Sequence, residues 1–91
     1  MKKFDCIFLD RDGTLNPDSG YINNILDYDF YDFTIPALKM MSKNNNRFCI
    51  VTNQSGVARG LISINNLNTI NKFIREKFSE NSISLLDIYM C

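Results

Sequence analysis

The sequence predicts one α/β domain built on a parallel sheet. Three observations carry this. Short, nearly continuous apolar runs at residues 4–9, 48–52 and 85–90 have the character of strands buried on both faces. Between the second and third runs, Leu67, Ile70, Ile74 and Phe78 recur at helical spacing and form one stripe. Two of the strands end abruptly in polar clusters, Asp10-Arg11-Asp12-Gly13-Thr14 and Thr52-Asn53-Gln54-Ser55-Gly56.

Taken in order, the first strand is followed by an excursion without a clean period over residues 15–33. It holds Pro17, Gly20 and the acids Asp27, Asp29 and Asp32, and a small hairpin is expected over 21–33. Thr34 is the expected N-cap of a first helix, with Pro36 in its first turn, where the missing N–H costs nothing. Ala37, Leu38 and Met41 face one way. Asn44-Asn45-Asn46 ends the helix, because asparagine tolerates the left-handed conformation. After the second strand, Ser63 caps the helix that carries the stripe. Two strand–helix–strand crossovers imply a parallel sheet with right-handed connections, in three layers.

Composition sets limits on function. The 91 residues suffice for a single domain with a thin core. Ten basic residues balance ten acidic ones, so no basic field holds nucleic acid or an anionic membrane by charge alone. No apolar run approaches the roughly 20 residues that span a bilayer. Acids at Asp5 and Asp10 break any signal-peptide core, and the expectation is a cytoplasmic protein. Cys6, Cys49 and Cys91 are odd in number and widely spaced, so no disulfide framework is implied. Cys6 and Cys49 read as small buried hydrophobes. The absence of histidine excludes His-based triads and zinc sites from these residues.

In an open parallel sheet, ligands bind outside the carboxyl ends of the strands. Asp10 and Thr52 should therefore be neighbours, though distant in sequence. Asp10 and Asp12, two residues apart after a strand, can hold Mg²⁺, which takes oxygen ligands and keeps waters for a phosphate. They can also divide labour as nucleophile and general acid/base. Gly13 permits a tight turn and Thr14 offers a hydroxyl. Arg11, between the acids, should point away from them into a structural ion pair. Tyr28, Phe30, Tyr31 and Phe33 read as packing.

The string Phe8-Leu9-Asp10-Arg11-Asp12-Gly13-Thr14-Leu15-Asn16 resembles the first motif of the haloacid dehalogenase superfamily. With Gly20-Tyr21 and the stretch from Val51 through Asn53-Gln54-Ser55-Gly56 to Arg59-Gly60, the resemblance narrows to the branch of heptose 1,7-bisphosphate phosphatases and histidinol-phosphatases. It runs over residues 4–91. It implies a Rossmann-like, capless core in a single domain, 1–91. The implied activity is Mg²⁺-dependent hydrolysis of a phosphomonoester through an aspartyl-phosphate. The implied substrate is a heptose bisphosphate of lipopolysaccharide biosynthesis, with histidinol phosphate as the alternative.

Carried over by position, Asp10 matches the nucleophile and a Mg²⁺ ligand. Asp12 matches the general acid/base, with its backbone carbonyl on the metal. Thr52 matches the hydroxyl that holds the transferred phosphoryl group. Asn53, Gln54 and Ser55 match substrate contacts, as do Asp18, Ser19, Gly20 and Tyr21 in the excursion. Arg59 is a candidate substrate contact. Cys91 matches the first of four ligands of a structural Zn²⁺. The family's later lysine and paired acids have no counterpart, so the resemblance covers an N-terminal half, ending after the third strand. A chain of this extent is expected to be a monomer and to be inactive alone, either as an enzyme half or as a remnant that pairs with a partner.

Overall fold

The computed structural model describes residues 6–18, 20 and 22–90. Strand β1 (Ile7–Asp10) leads through the excursion to helix α1 (Thr34–Ser42) and strand β2 (Arg47–Thr52). A four-residue helical turn, α2 (Ser55–Ala58), precedes helix α3 (Ile64–Glu80) and strand β3 (Ser84–Met90). The sheet is parallel throughout in the order β1-β2-β3. Ile7 pairs with Phe48 and Asp10 with Val51, while an irregularity at Phe48/Cys49 shifts the register against β3.

Stepping across the sheet in one direction with right-handed connections puts both crossover helices on the same face. The core has this arrangement. Leu38 of α1 and Ile70, Ile74 and Phe78 of α3 pack in one cluster with Phe48 and Ile50 of β2. Ile70, Ile74 and Phe78 are wholly buried, each contributing roughly 1.5–3 kcal/mol of transfer free energy. The opposite face is bare among the described residues: Phe8 is 67 % exposed, Tyr89 51 % and Val51 38 %. This corrects the expectation of three layers and of strands buried on both sides. An apolar run identifies a strand but does not by itself show that both of its faces are covered.

Both helix ends behave largely as the sequence predicts. Ser63 accepts a hydrogen bond from the Asn66 N–H at 3.0 Å, and Asn45 takes the left-handed conformation (φ 57°) after α1. Thr34 is different. Its hydroxyl does not cap α1; it donates to the Leu15 carbonyl at 2.7 Å, and the Tyr31 N–H donates to the same oxygen. The start of α1 is thereby bound to the turn that follows β1. The expected hairpin is also absent from the described residues. In its place stands a 3₁₀ turn, Ile25–Asp27, capped by Asn24, and among the described residues no helical subdomain stands over the sheet end. Tyr28 and Phe30 leave this turn to pack edge-on with each other and against Phe73 of α3.

Candidate active site

The chain leaves β1 into a turn in which the Arg11 carbonyl accepts from the N–H groups of Thr14 and Leu15 at 3.2 and 2.8 Å. Gly13, at φ +84°, closes it by donating its N–H to the Asn16 carbonyl at 2.7 Å, a conformation that a side chain would strain. The turn ends the strand alternation and brings Asp10 and Asp12 to one cleft. Its walls are Asp10, Asp12, Asp18, Gly20, Thr52, Asn53 and Gln54, around about 240 Å³. It opens at the carboxyl ends of β1 and β2, where the pattern of polar clusters predicts a site.

Asp12 is the most heavily bonded group of the cleft. Arg11 donates to its two oxygens from Nε and Nη2, at 3.1 and 3.2 Å. Asn16 Nδ2 adds a bond of 2.9 Å and Gln54 Nε2 one of 3.3 Å. Arg11 thus makes the expected structural ion pair, but its partner is Asp12 itself, so it does not point away from both acids. It is fully buried, forks onto Asp12 and lies over the Tyr28 ring at 5.4 Å. Behind Asn16, the Tyr28 hydroxyl donates to Asn16 Oδ1 at 2.7 Å. Burial pushes the Tyr28 phenol well above its ordinary pKa, so it stays a neutral donor.

Asp10 is bonded more lightly. Its Oδ1 accepts the Arg11 N–H at 2.9 Å, and its side chain faces the open cleft. Thr52 is buried, and its Oγ1 accepts from Gln54 Nε2 at 2.6 Å. Because Oγ1 is the acceptor in that bond, the hydroxyl proton is left to donate elsewhere.

Of the candidate residues, Asp10, Asp12, Asp18, Gly20, Thr52, Asn53 and Gln54 line the cleft. Arg59 does not: it is exposed on the turn after α2 and outside the lining. Ser19, Tyr21 and Cys91 lie outside the described residues, as does the Ser55 side chain. Asn16 bonds Asp12 directly, and Tyr28, read from the sequence as packing, also supports it through Asn16 and Arg11; neither role was predicted. The sequence signals for Asn16 are its place at the end of the Phe8–Asn16 string and its position four residues after Asp12; for the Tyr28 hydroxyl bond there was none.

No cationic side chain lines the cleft among the described residues, while three carboxylates do. A phosphate dianion entering this space would meet net repulsion unless a cation came with it. No group of three or more Cys, Asp or Glu that could hold a metal occurs among the described residues. Asp10 and Asp12 thus offer a partial oxygen set. This suits Mg²⁺, which keeps several waters, and does not suit a closed zinc site.

No family model matches the sequence. The chain is 37 % identical over 90 residues to the D-glycero-beta-D-manno-heptose-1,7-bisphosphate 7-phosphatase of Escherichia coli K12, spanning 99 % of this chain and 47 % of that protein. It is 41 % identical over 85 residues to the protein of the same name from Haemophilus influenzae, covering 93 % and 46 %. Among solved structures it superposes on a D,D-heptose 1,7-bisphosphate phosphatase from B. bronchiseptica, complexed with magnesium and phosphate. The TM-score is 0.87 at 28 % identity, over 97 % of this chain and 50 % of that one. It also superposes on a HAD-like phosphatase from Mesorhizobium loti with a TM-score of 0.82 at 28 % identity, over 98 % of this chain and 43 % of that one. The chain spans about half the length of the curated relatives it matches, and over nearly all of its length it is similar to heptose bisphosphate phosphatases.

Proposed function

We propose that this chain carries the nucleophile and the acid/base of a Mg²⁺-dependent phosphomonoester hydrolase acting on D-glycero-D-manno-heptose 1,7-bisphosphate. The observation that carries the reading is the convergence of Asp10, Asp12 and Thr52 on one cleft at the ends of two parallel strands. The names of the matched relatives favour a heptose bisphosphate over histidinol phosphate.

In this reading the lightly bonded Asp10 carboxylate attacks phosphorus. Asp12 gives a proton to the leaving sugar oxygen and later takes one from the water that attacks the acyl-phosphate. The Thr52 hydroxyl, whose oxygen already accepts from Gln54, donates its proton to an equatorial phosphoryl oxygen. Asp10, with the backbone of Asp12, would hold Mg²⁺, which when bound offsets the charge gathering on the phosphoryl oxygens. Asp18 and Asn53 stand on the cleft wall where the sugar would lie. Since no Lys or Arg lines the cleft among the described residues, efficient turnover needs a further cation beyond these walls. The structural Zn²⁺ that the resemblance implies would rest on Cys91, which lies outside the described residues.

The test uses the Asp12→Asn variant with Mg²⁺ and the heptose bisphosphate. The variant should accumulate a hydroxylamine-sensitive phosphoryl group on the peptide that contains Asp10. A phosphoryl group on any other residue, or equal accumulation in Asp10→Asn, would refute the assignment.

A further inference from the structure

Cys6 and Cys49 stand apart from the cleft and have no part in the phosphatase reading. They are 43 residues apart in sequence, yet the Cys6 thiol donates to Cys49 Sγ at 3.0 Å, and both are free. The fold makes this contact. Phe8 is in register with Cys49, and Cys6, two residues before Phe8, falls on the same bare face of the sheet. The two sulfurs are about 1 Å further apart than the roughly 2.05 Å of a disulfide bond. Access to them is unequal: Cys49 is buried and Cys6 is half-buried.

We propose that Cys6 and Cys49 form a redox-active pair, oxidised by hydroperoxides to a disulfide that ties β1 to β2. The Cys6 thiolate attacks a peroxide oxygen. An S–O bond forms, the O–O bond breaks, and the leaving alkoxide or hydroxide takes up a proton. Cys49 then attacks the Cys6 sulfenic acid: the S–S bond forms, the S–O bond breaks, and water leaves with the thiol proton. Two thiols lose two electrons and two protons, and an alkyl hydroperoxide becomes an alcohol and water, or hydrogen peroxide two waters. The order of attack follows from access.

The disulfide would act on the sheet end. Asp10 lies four residues beyond Cys6 and Thr52 three beyond Cys49, so the tie pins the two strands whose tips form the cleft. It also closes a loop that contains the whole excursion and α1, and loop closure of this kind stabilises the native state.

The experiment treats the native 91-residue chain with a small excess of hydrogen peroxide and maps its disulfides by mass spectrometry of unreduced digests. The expected result is loss of two hydrogens from the monomer and one dominant Cys6–Cys49 cross-link, reversible by a phosphine reductant. The product should persist in Cys91→Ser and be lost in Cys6→Ser and in Cys49→Ser. The same treatment in concentrated guanidinium chloride controls for variants that fold poorly; there the cross-links should scatter among all three cysteines. Native cross-linking mainly through Cys91, or the same scatter with and without denaturant, would overturn the proposal.

Discussion

The Arg11 guanidinium, with none of its surface exposed, grips Asp12 with two parallel hydrogen bonds of 3.1 and 3.2 Å. The residue between the two acids of the cleft is therefore the anchor of one of them. A fork of this kind fixes a carboxylate in both position and plane. The remaining nitrogen, Nη1, is buried with no partner among the described residues, so the guanidinium depends on Asp12 and on the Tyr28 ring for its place.

Removing one side of a fully buried ion pair costs about 3–5 kcal/mol, and this pair, with Arg11 buried and Asp12 partly exposed, sets that as an upper bound. Asp12→Ala, which strands the Arg11 charge, should lose stability up to that bound in urea unfolding. Arg11→Lys should fall short of wild type as well, because an ammonium cannot make the two-point contact. Unfolding midpoints for both variants equal to wild type would mean that the fork does not hold the turn.

The α3 stripe makes a separate claim about the core. Ile74 has no exposed surface and sits in the cluster with Phe48 and Ile50. Ile74→Ala should cost about 2–5 kcal/mol, a large share of the stability of so small a domain. Thr69→Ala, on the exposed face of the same helix, should change stability little. Similar losses at the two positions would contradict the assigned orientation of the helix.

Tyr28 predicts a dependence on alkaline pH. Its folded-state pKa lies above its unfolded value of about 10, chiefly through burial. The folded chain therefore holds the phenolic proton more tightly than the unfolded chain. The stabilisation is complete below about pH 10 and is lost progressively as pH rises above that value. Tyr28→Phe cannot ionise and should lack this part of the alkaline decline, while also losing the bond to Asn16. Parallel stability curves for the two proteins from neutral pH to pH 11 would remove Tyr28 from this role.

Much of the architecture was legible because it follows from periodicity. The α3 stripe, the Ser63 cap, the left-handed asparagine and the three parallel strands all follow from spacing and residue type. The cleft was legible for a topological reason: polar clusters at the ends of neighbouring parallel strands must meet. What escaped was set by tertiary contact. The turn that follows β1 carries the Asp12 carboxylate to the buried Arg11 side chain, a contact that strand spacing does not foretell. The Thr34 hydroxyl bonds a carbonyl 19 residues away in preference to its own helix. The bare sheet face escaped for a similar reason, since Phe8 and Val51 have the same apolar character as buried strand residues.

The central claim is that Asp10 is the nucleophile of a Mg²⁺-dependent phosphoryl site. Beryllofluoride tests it most directly, because it mimics an aspartyl-phosphate on a carboxylate and requires no turnover. Fluorine NMR of the chain with Mg²⁺ and beryllium fluoride should show a bound signal that disappears when Mg²⁺ is chelated. The signal should be absent in Asp10→Asn and present in Asp12→Asn. A bound signal that survives Asp10→Asn, or that forms equally well without Mg²⁺, would contradict the account.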